Sequence, residues 1–159
     1  MLRIMCALTL CAALAAPATA ETSRKEFGEW SVLCRGTIGP SNCAVMQEQV
    51  FPVSRKVWAR MYIDFDASGK PRAMISVPPS VRGQYIFFRM SGAGSTYAEK
   101  VCHPDRCETP PLNARWVEKL VHSKNLQVEY LGEGNAQFGL PFSTWGLERA
   151  IEYVLGEKA

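Results

Sequence analysis

Phe27–Gln47 reads FGEWSVLCRGTIGPSNCAVMQ. Two short segments, Trp30–Cys34 and Cys43–Gln47, are joined by a Gly/Pro/Ser/Asn turn with a cysteine on each rim. Trp30, Val32 and Cys34 alternate with Ser31 and Leu33, the period of a short strand. A second strand is expected from Cys43 to Phe51. The stretch therefore reads as an entry into a sheet, with a staple available at its turn.

Strand signals continue downstream. Val57, Ala59, Met61, Ile63 and Phe65 alternate with Trp58, Arg60, Tyr62 and Asp64, so one apolar face meets a core. Ala67–Lys70 is a turn, and Arg72–Val77 returns with Ala73, Ile75 and Val77 on one face, which completes a hairpin. Pro78 and Pro79 stop that strand, because proline donates nothing to a ladder. Gln84–Met90 and Tyr97–Cys102 follow as strands around the flexible Ser91–Ser95 turn. Asn113 is placed to cap a short helix with Trp116, Val117, Leu120 and Val121 on one side. Leu126, Val128 and Tyr130 alternate again, and Ala136–Leu140 is expected as the last strand. Leu147, Ala150, Ile151, Val154 and Leu155 then fall at the spacing of an amphipathic helix. Ser143 or Thr144 is the expected cap, and Gly156 the stop. Seven to nine short strands with one terminal helix predict an all-β sandwich or barrel rather than an alternating β/α fold. Residues 21–26 (ETSRKE) are polar and read as a frayed end.

Residues 1–20 are set apart from the fold. Arg3, the apolar run Ile4–Ala16 and Ala18-Thr19-Ala20 before Glu21 have the pattern of a secretory signal peptide. The run is too short for a spanning helix. A lipid anchor at Cys11 would need a small residue where Leu10 stands. Taking residues 1–20 from 159 leaves 139, residues 21–159, enough for one domain with its own core. No later run is apolar for long enough to span a bilayer. With Arg3 gone, 17 basic residues face 15 acidic ones. Such balance argues against a nucleic-acid binder, which carries a clustered basic footprint. Export from the cytoplasm is the expectation.

Four cysteines remain in the mature chain: Cys34, Cys43, Cys102 and Cys107. An even number in an exported chain argues for disulfides, with three possible connectivities. Proximity favours Cys34–Cys43 and Cys102–Cys107, because each pair brackets a turn. The chain-entropy relation gives about 2.7 and about 2.2 kcal/mol for these loops, and about 4.4 for a crossed pair. A zinc site would need a second short pair, and Cys34/Cys43 is spaced too widely to supply it. A redox dithiol usually reads C-x-x-C, whereas Cys102–Cys107 is C-x4-C with Pro104 inside.

The order of motifs resembles the invasion-associated locus B family of Gram-negative exported proteins. The residues that carry it are W-S-V-x-C (Trp30–Cys34), C-A-V-M-Q (Cys43–Gln47), V-P-P-S-V-R (Val77–Arg82), the later pair within Val101–Cys107, and G-L-P-F-S-T-W-G-L-E-R-A-I (Gly139–Ile151). The resemblance covers nearly all of the mature chain. It departs from the family at Arg106, where glycine usually precedes the cysteine, and at the adjacent charges Glu99 and Lys100. It implies an immunoglobulin-like β-sandwich with a C-terminal helix, located first of all in the periplasm and otherwise at the outer envelope or secreted, and it brings no catalytic residues. The family name comes from host-cell invasion.

Chemistry is sparse. No G-x-S-x-G, H-E-x-x-H or phosphate-loop pattern occurs, and no metal or cofactor set is expected. His103 reads as a solvated loop residue and His122 as a favourable charge at a helix C-terminus. Asp64 and Asp66 supply too few oxygens for calcium and read as turn residues. Arg55, Lys56, Arg60, Arg72, Arg82 and Arg89 give the middle of the chain a basic lean. If Trp58, Arg60, Tyr62 and Arg72 share a sheet face, they form a surface for an anion or peptide, with the His103 turn a second place for contact. The plainer reading is a solvated face whose charges discourage edge pairing. The expectation is a non-enzymatic exported binding module, whose partner is another envelope protein, a glycan or a host surface. The alternative is a periplasmic thiol–disulfide or chaperone-like factor using Cys102 and Cys107.

Overall fold

The computed structural model describes residues 22–51, 53–132, 134 and 136–156, so the expected signal peptide lies outside the described residues. The strands are β1 (Thr22–Phe27), β2 (Trp30–Arg35), β3 (Cys43–Val50), β4 (Val57–Phe65), β5 (Pro71–Val77), β6 (Arg82–Met90), β7 (Gly94–Glu99), β8 (Val101–Cys102), β9 (Cys107–Glu108), β10 (Asn125–Leu131) and β11 (Gln137–Ser143). Helix α1 (Ala114–Val121) precedes β10, and α2 (Leu147–Leu155) follows β11. The larger sheet runs β1-β2-β3-β4-β5-β9-β8 and the smaller one β11-β10-β6-β7, with every pairing antiparallel. The result is a β-sandwich with a C-terminal helix.

Alternation builds the core. Ala59, Met61, Ile63 and Phe65 of β4 are buried, as are Ala73, Ile75 and Val77 of β5. Ile86, Phe88 and Met90 of β6 and Leu126, Val128 and Tyr130 of β10 meet them from the smaller sheet. Helix α2 packs on β1, β2 and β3, α1 packs on β5, and β11 meets β3. Both helices thus share one core with the two inner sheet faces. Asn113 caps α1, its side-chain oxygen accepting from the Trp116 N–H at 3.1 Å. That cap, and Trp116, Val117 and Leu120 on its buried side, are as the sequence predicts.

The opening stretch is pinned at three points. Trp30 is fully buried, and its indole N–H donates to the Ser143 carbonyl at 2.8 Å. Cys34 and Cys43 face each other across β2 and β3 and form a buried disulfide. Cys102 and Cys107, opposed across β8 and β9, form the second disulfide. The third point is a backbone lock. Gly28 (φ 60°) and Gly146 (φ 89°) lie against each other's neighbours. A Cβ on Gly146 would stand 2.0 Å from the Phe27 carbonyl oxygen, and one on Gly28 would stand 2.6 Å from the Trp145 carbonyl oxygen. Glu29 N–H donates to that Trp145 carbonyl at 3.3 Å.

Two expectations are corrected. Residues 22–27 are not frayed: β1 pairs with β2 from Thr22↔Arg35 to Phe27↔Trp30. Its polar side chains face solvent, and Lys25 lies over the Tyr153 ring, so the ladder and α2 hold a strand that composition alone would release. The second correction concerns α2. Its N-cap is Gly146, with no side-chain cap. Ser143 closes β11 instead, its hydroxyl accepting from the Trp145 N–H, while the Thr144 hydroxyl donates to the Ser123 and Lys124 carbonyls. The backbone lock leaves no room for a capping side chain. Gly156 ends the helix in the left-handed region, as expected.

Candidate functional site

The outer face of the larger sheet holds part of the surface expected from sequence. Strand period two turns Arg60, Tyr62 and Asp64 of β4 outward, and Arg72, Met74 and Ser76 of β5 beside them. The Cys102–Cys107 hairpin joins this sheet through Ser76↔Glu108 and Val77↔Cys107. It forms one wall of a cavity of about 440 Å3 lined by Tyr62, Asp64, Met74, Ser76, Arg106 and Glu108.

The arginines of this face are already paired. Arg60 donates to the Glu48 carboxylate directly across the β3–β4 ladder, and this bond raises the Arg60 pKa. Arg72 Nη2 stands 3.1 Å from Asp64 Oδ2, again a directly opposed pair. Arg106 bridges Asp105 and Glu108, each at 2.9 Å, and its pKa rises chiefly through the Glu108 bond. Asp105 is held below the usual carboxylate range, first by a backbone hydrogen bond and then by Arg106. Cross-strand partners thus neutralise the face, which makes it a weak attractor for a free anion.

The remaining expected residues scatter. The β3–β4 register steps from Gln49↔Ala59 to Val50↔Val57, leaving Trp58 as the extra residue of a bulge. Its ring packs on Phe51 and Phe138, at 5.5 and 5.0 Å between centroids, and is joined to the core rather than to Tyr62. His103 lies in the hairpin turn, with Nε2 3.4 Å from Glu108. Arg82 and Arg89 are on β6, in the other sheet. Asp66 organises the β4–β5 turn, its Oδ1 accepting from the Ser68 N–H, the Ser68 hydroxyl and the Lys70 N–H.

A second surface stands on the outer face of the smaller sheet, and the sequence reading did not select it. Tyr85, Phe87 and Tyr97 are 38%, 47% and 63% exposed and form a contiguous cluster. Phe87 and Tyr97 are opposed across β6 and β7 with ring centroids 6.1 Å apart, and Tyr85 meets Tyr97 edge-on at 5.1 Å. Polar pairs rim the cluster: Arg89 with Glu129 at 3.1 Å, and Gln84 Nε2 donating to Glu99 at 2.7 Å. A signal for it existed. Within Gln84–Met90, Ile86 and Phe88 require one apolar face, and Tyr85 and Phe87 make the other face apolar too. A strand on the surface of a sandwich normally alternates apolar with polar, so two apolar faces flag a contact surface.

Among the described residues, no cluster of three or more His, Cys, Asp or Glu side chains is arranged to hold a metal ion. No helix among them is long and apolar enough to cross a membrane.

No family model and no curated protein sequence matches the chain. The backbone does find a counterpart. The crystal structure of invasion associated protein B from Bartonella henselae aligns with 83% of this chain and 95% of its own, at a TM-score of 0.66 and 18% identity. This chain has the invasion-associated protein B fold. The sequence motifs and the course of the backbone point to the same architecture. Within that fold, the W-S-V-x-C motif supplies β2, and G-L-P-F-S-T-W-G-L-E-R-A-I carries the end of β11, the Trp145–Gly146 lock and the start of α2.

Proposed function

We propose that the chain is an exported, non-enzymatic binding module of the invasion-associated locus B type, which works by surface contact. One observation carries the reading: three aromatic side chains lie open to solvent on the outer face of the smaller sheet, rimmed by polar pairs. Exposed aromatics with a polar rim are the composition of contact surfaces rather than of solvated ones. The two disulfides suit an oxidising compartment, the periplasm or beyond. The partner class is an envelope protein, a glycan or a host surface, and a link to host-cell entry follows from the likeness to a protein named for invasion.

The test compares the purified chain with a Phe87→Ser/Tyr97→Ser variant as bait for envelope extract and on a glycan array. Capture of a defined partner by the native chain and its loss in the variant is the expected result. No capture above background, with wild-type behaviour of a deletion strain under envelope stress and in host-cell entry, overturns the reading.

A second reading, thiol–disulfide exchange, has one observation in its favour. Lys100 Nζ lies 3.0 Å from the exposed Cys102 sulfur, while Cys107 is buried. An ammonium at that distance lowers the pKa of a thiol and favours its thiolate. A reduction potential below about −300 mV, typical of inert structural bridges, removes this reading.

A further inference from the structure

Among the described residues, strand β7 is an edge of the smaller sheet with no strand on its outer side. Its backbone is divided by parity. Lys100 N–H donates to the Gln84 carbonyl at 3.0 Å, in line with the register that opposes Ala98 to Ile86 and Thr96 to Phe88. Even-numbered residues therefore bond to β6, and Ser95, Tyr97 and Glu99 turn their N–H and C=O groups outward. Natural edge strands are usually blunted by lysine, proline or a bulge. The β7 sequence GSTYAE has no lysine or proline and a single charge, Glu99 at its end, and its register with β6 is unbroken from Tyr85↔Glu99 to Met90↔Gly94. It is a template left open.

We infer that β7 pairs with β7 of a second copy of this chain, antiparallel about a two-fold axis at Tyr97, to join the two smaller sheets into one of eight strands. In this register Tyr97 faces Tyr97 of the second copy, and Ser95 faces Glu99 of the second copy. Three facing pairs exchange about six backbone hydrogen bonds, two per pair. The side chains complement one another as well. Arg89 is opposed to Ser95 within each copy, so the row Arg89–Ser95 runs on into Glu99 of the second copy. Arg89 and that Glu99 then stand two strands apart, about 10 Å between Cα atoms, within reach of an arginine side chain that exchanges Glu129, and a carboxylate that exchanges Gln84, for the new partner. Symmetry repeats the pair on the other side of the axis. Centring the axis on Glu99 would instead oppose two carboxylates, which charge repulsion disfavours. The aromatic row Phe87–Tyr97 continues into Tyr97–Phe87 of the second copy, with all four rings on the outer face. The dimer doubles the aromatic surface and leaves it open, so the inference goes beyond the binding role and does not depend on it.

Sedimentation of the purified chain from about 1 μM to about 1 mM, with amide-resolved hydrogen exchange, tests it. Mass is expected to double with concentration. The Ser95, Tyr97 and Glu99 amides should gain at least tenfold protection as it does, whereas Thr96 and Ala98 are protected throughout. Ser95→Pro removes an outward N–H and no bond to β6, and Glu99→Arg sets like charges against Arg89. Each should weaken association at least tenfold. If Ser95→Pro fails to fold by circular dichroism, Glu99→Arg decides. A monomer at every concentration, a dimer whose three outward amides exchange freely, or variants with unchanged association overturns the proposal. A monomer that still captures a partner refutes the dimer alone, and a dimer that captures nothing refutes the binding role alone.

Discussion

Gly146→Ala isolates the backbone lock between the two ends of the fold. Two costs are expected. The first is conformational: Gly146 has φ 89°, and an L-residue held at positive φ costs about 1–2 kcal/mol. The second is steric. The new Cβ would lie 2.0 Å from the Phe27 carbonyl oxygen and 2.5 Å from its carbon. Both are backbone atoms at the β1–β2 turn, so relief requires the turn or the start of α2 to move by about 1 Å, toward an ordinary carbon–oxygen separation of about 3.3 Å. Forced displacement in a packed region costs about 1–3 kcal/mol, and the fully buried Leu147 and Ala150 begin that helix. The sum is about 2–5 kcal/mol. Gly69→Ala is the matched control, because Gly69 has φ 78° and open space around it, so only the first cost applies. Urea denaturation, read as midpoint and slope, measures both variants. The expected difference between them is at least 1 kcal/mol. If Gly146→Ala falls within about 0.5 kcal/mol of Gly69→Ala, the collision is relieved without cost and the lock adds nothing to stability.

Three further outcomes are expected. The Tyr130 hydroxyl is buried with no partner among the described residues, and burial pushes its pKa up to about 12. Tyr130→Phe should therefore be neutral or stabilising by up to about 1 kcal/mol in a thermal melt, and alkaline spectrophotometric titration should lose its latest-ionising tyrosine. The Ser31 hydroxyl, then Arg24, holds the Glu26 carboxyl below its ordinary 4.5, and the Ser68 hydroxyl, then the Lys70 N–H, holds Asp66 below its ordinary 3.8. Depressed pKa values give stability that is complete above the ordinary values and is lost as pH falls through the folded ones; the denaturant midpoint should drop below about pH 4.5, and less steeply in Glu26→Gln/Asp66→Asn, with an unchanged slope counting against the assignment. Replacing Cys34 and Cys43 together by serine should cost more than the same change at Cys102 and Cys107, because about 2.7 against about 2.2 kcal/mol of loop entropy is joined by two hydroxyls placed in the core; equal denaturation midpoints for the two variants would contradict this.

Features decided by near neighbours were legible in the sequence. The β4–β5 hairpin follows from unbroken alternation around one turn, the α1 cap from Asn113 three residues before Trp116, and both disulfides from turns that bring their cysteines together. Features decided across the chain were not. β1 carries one buried residue, Phe27, so no local pattern announces it, and its ladder partner provides the order. Ser143 and Thr144 have the chemistry of caps, yet contacts with Trp145, Ser123 and Lys124 claim them. Trp58 fits the β4 alternation as text, but one extra residue in the register carries its ring to Phe138. The arginines counted as a basic surface find their carboxylates only when β3, β4 and β5 align. The aromatic face is the opposite case: its pattern is local, since Tyr85 and Phe87 alternate within Gln84–Met90 with the buried Ile86 and Phe88.

The contact between Gly28 and Gly146 joins the first hairpin of the sandwich to the entry of its last helix. During synthesis the amino-terminal strands emerge first, while the segment that completes their packing is still unmade. Contacts so distant along the chain form late and slowly. The core of a growing chain therefore stays incomplete until Gly146 and the first turn of α2 have been made. Until then the Trp30 indole lacks its Ser143 partner, the kind of transient exposure that favours aggregation. The entry of α2 thus sets when the first hairpin is finished.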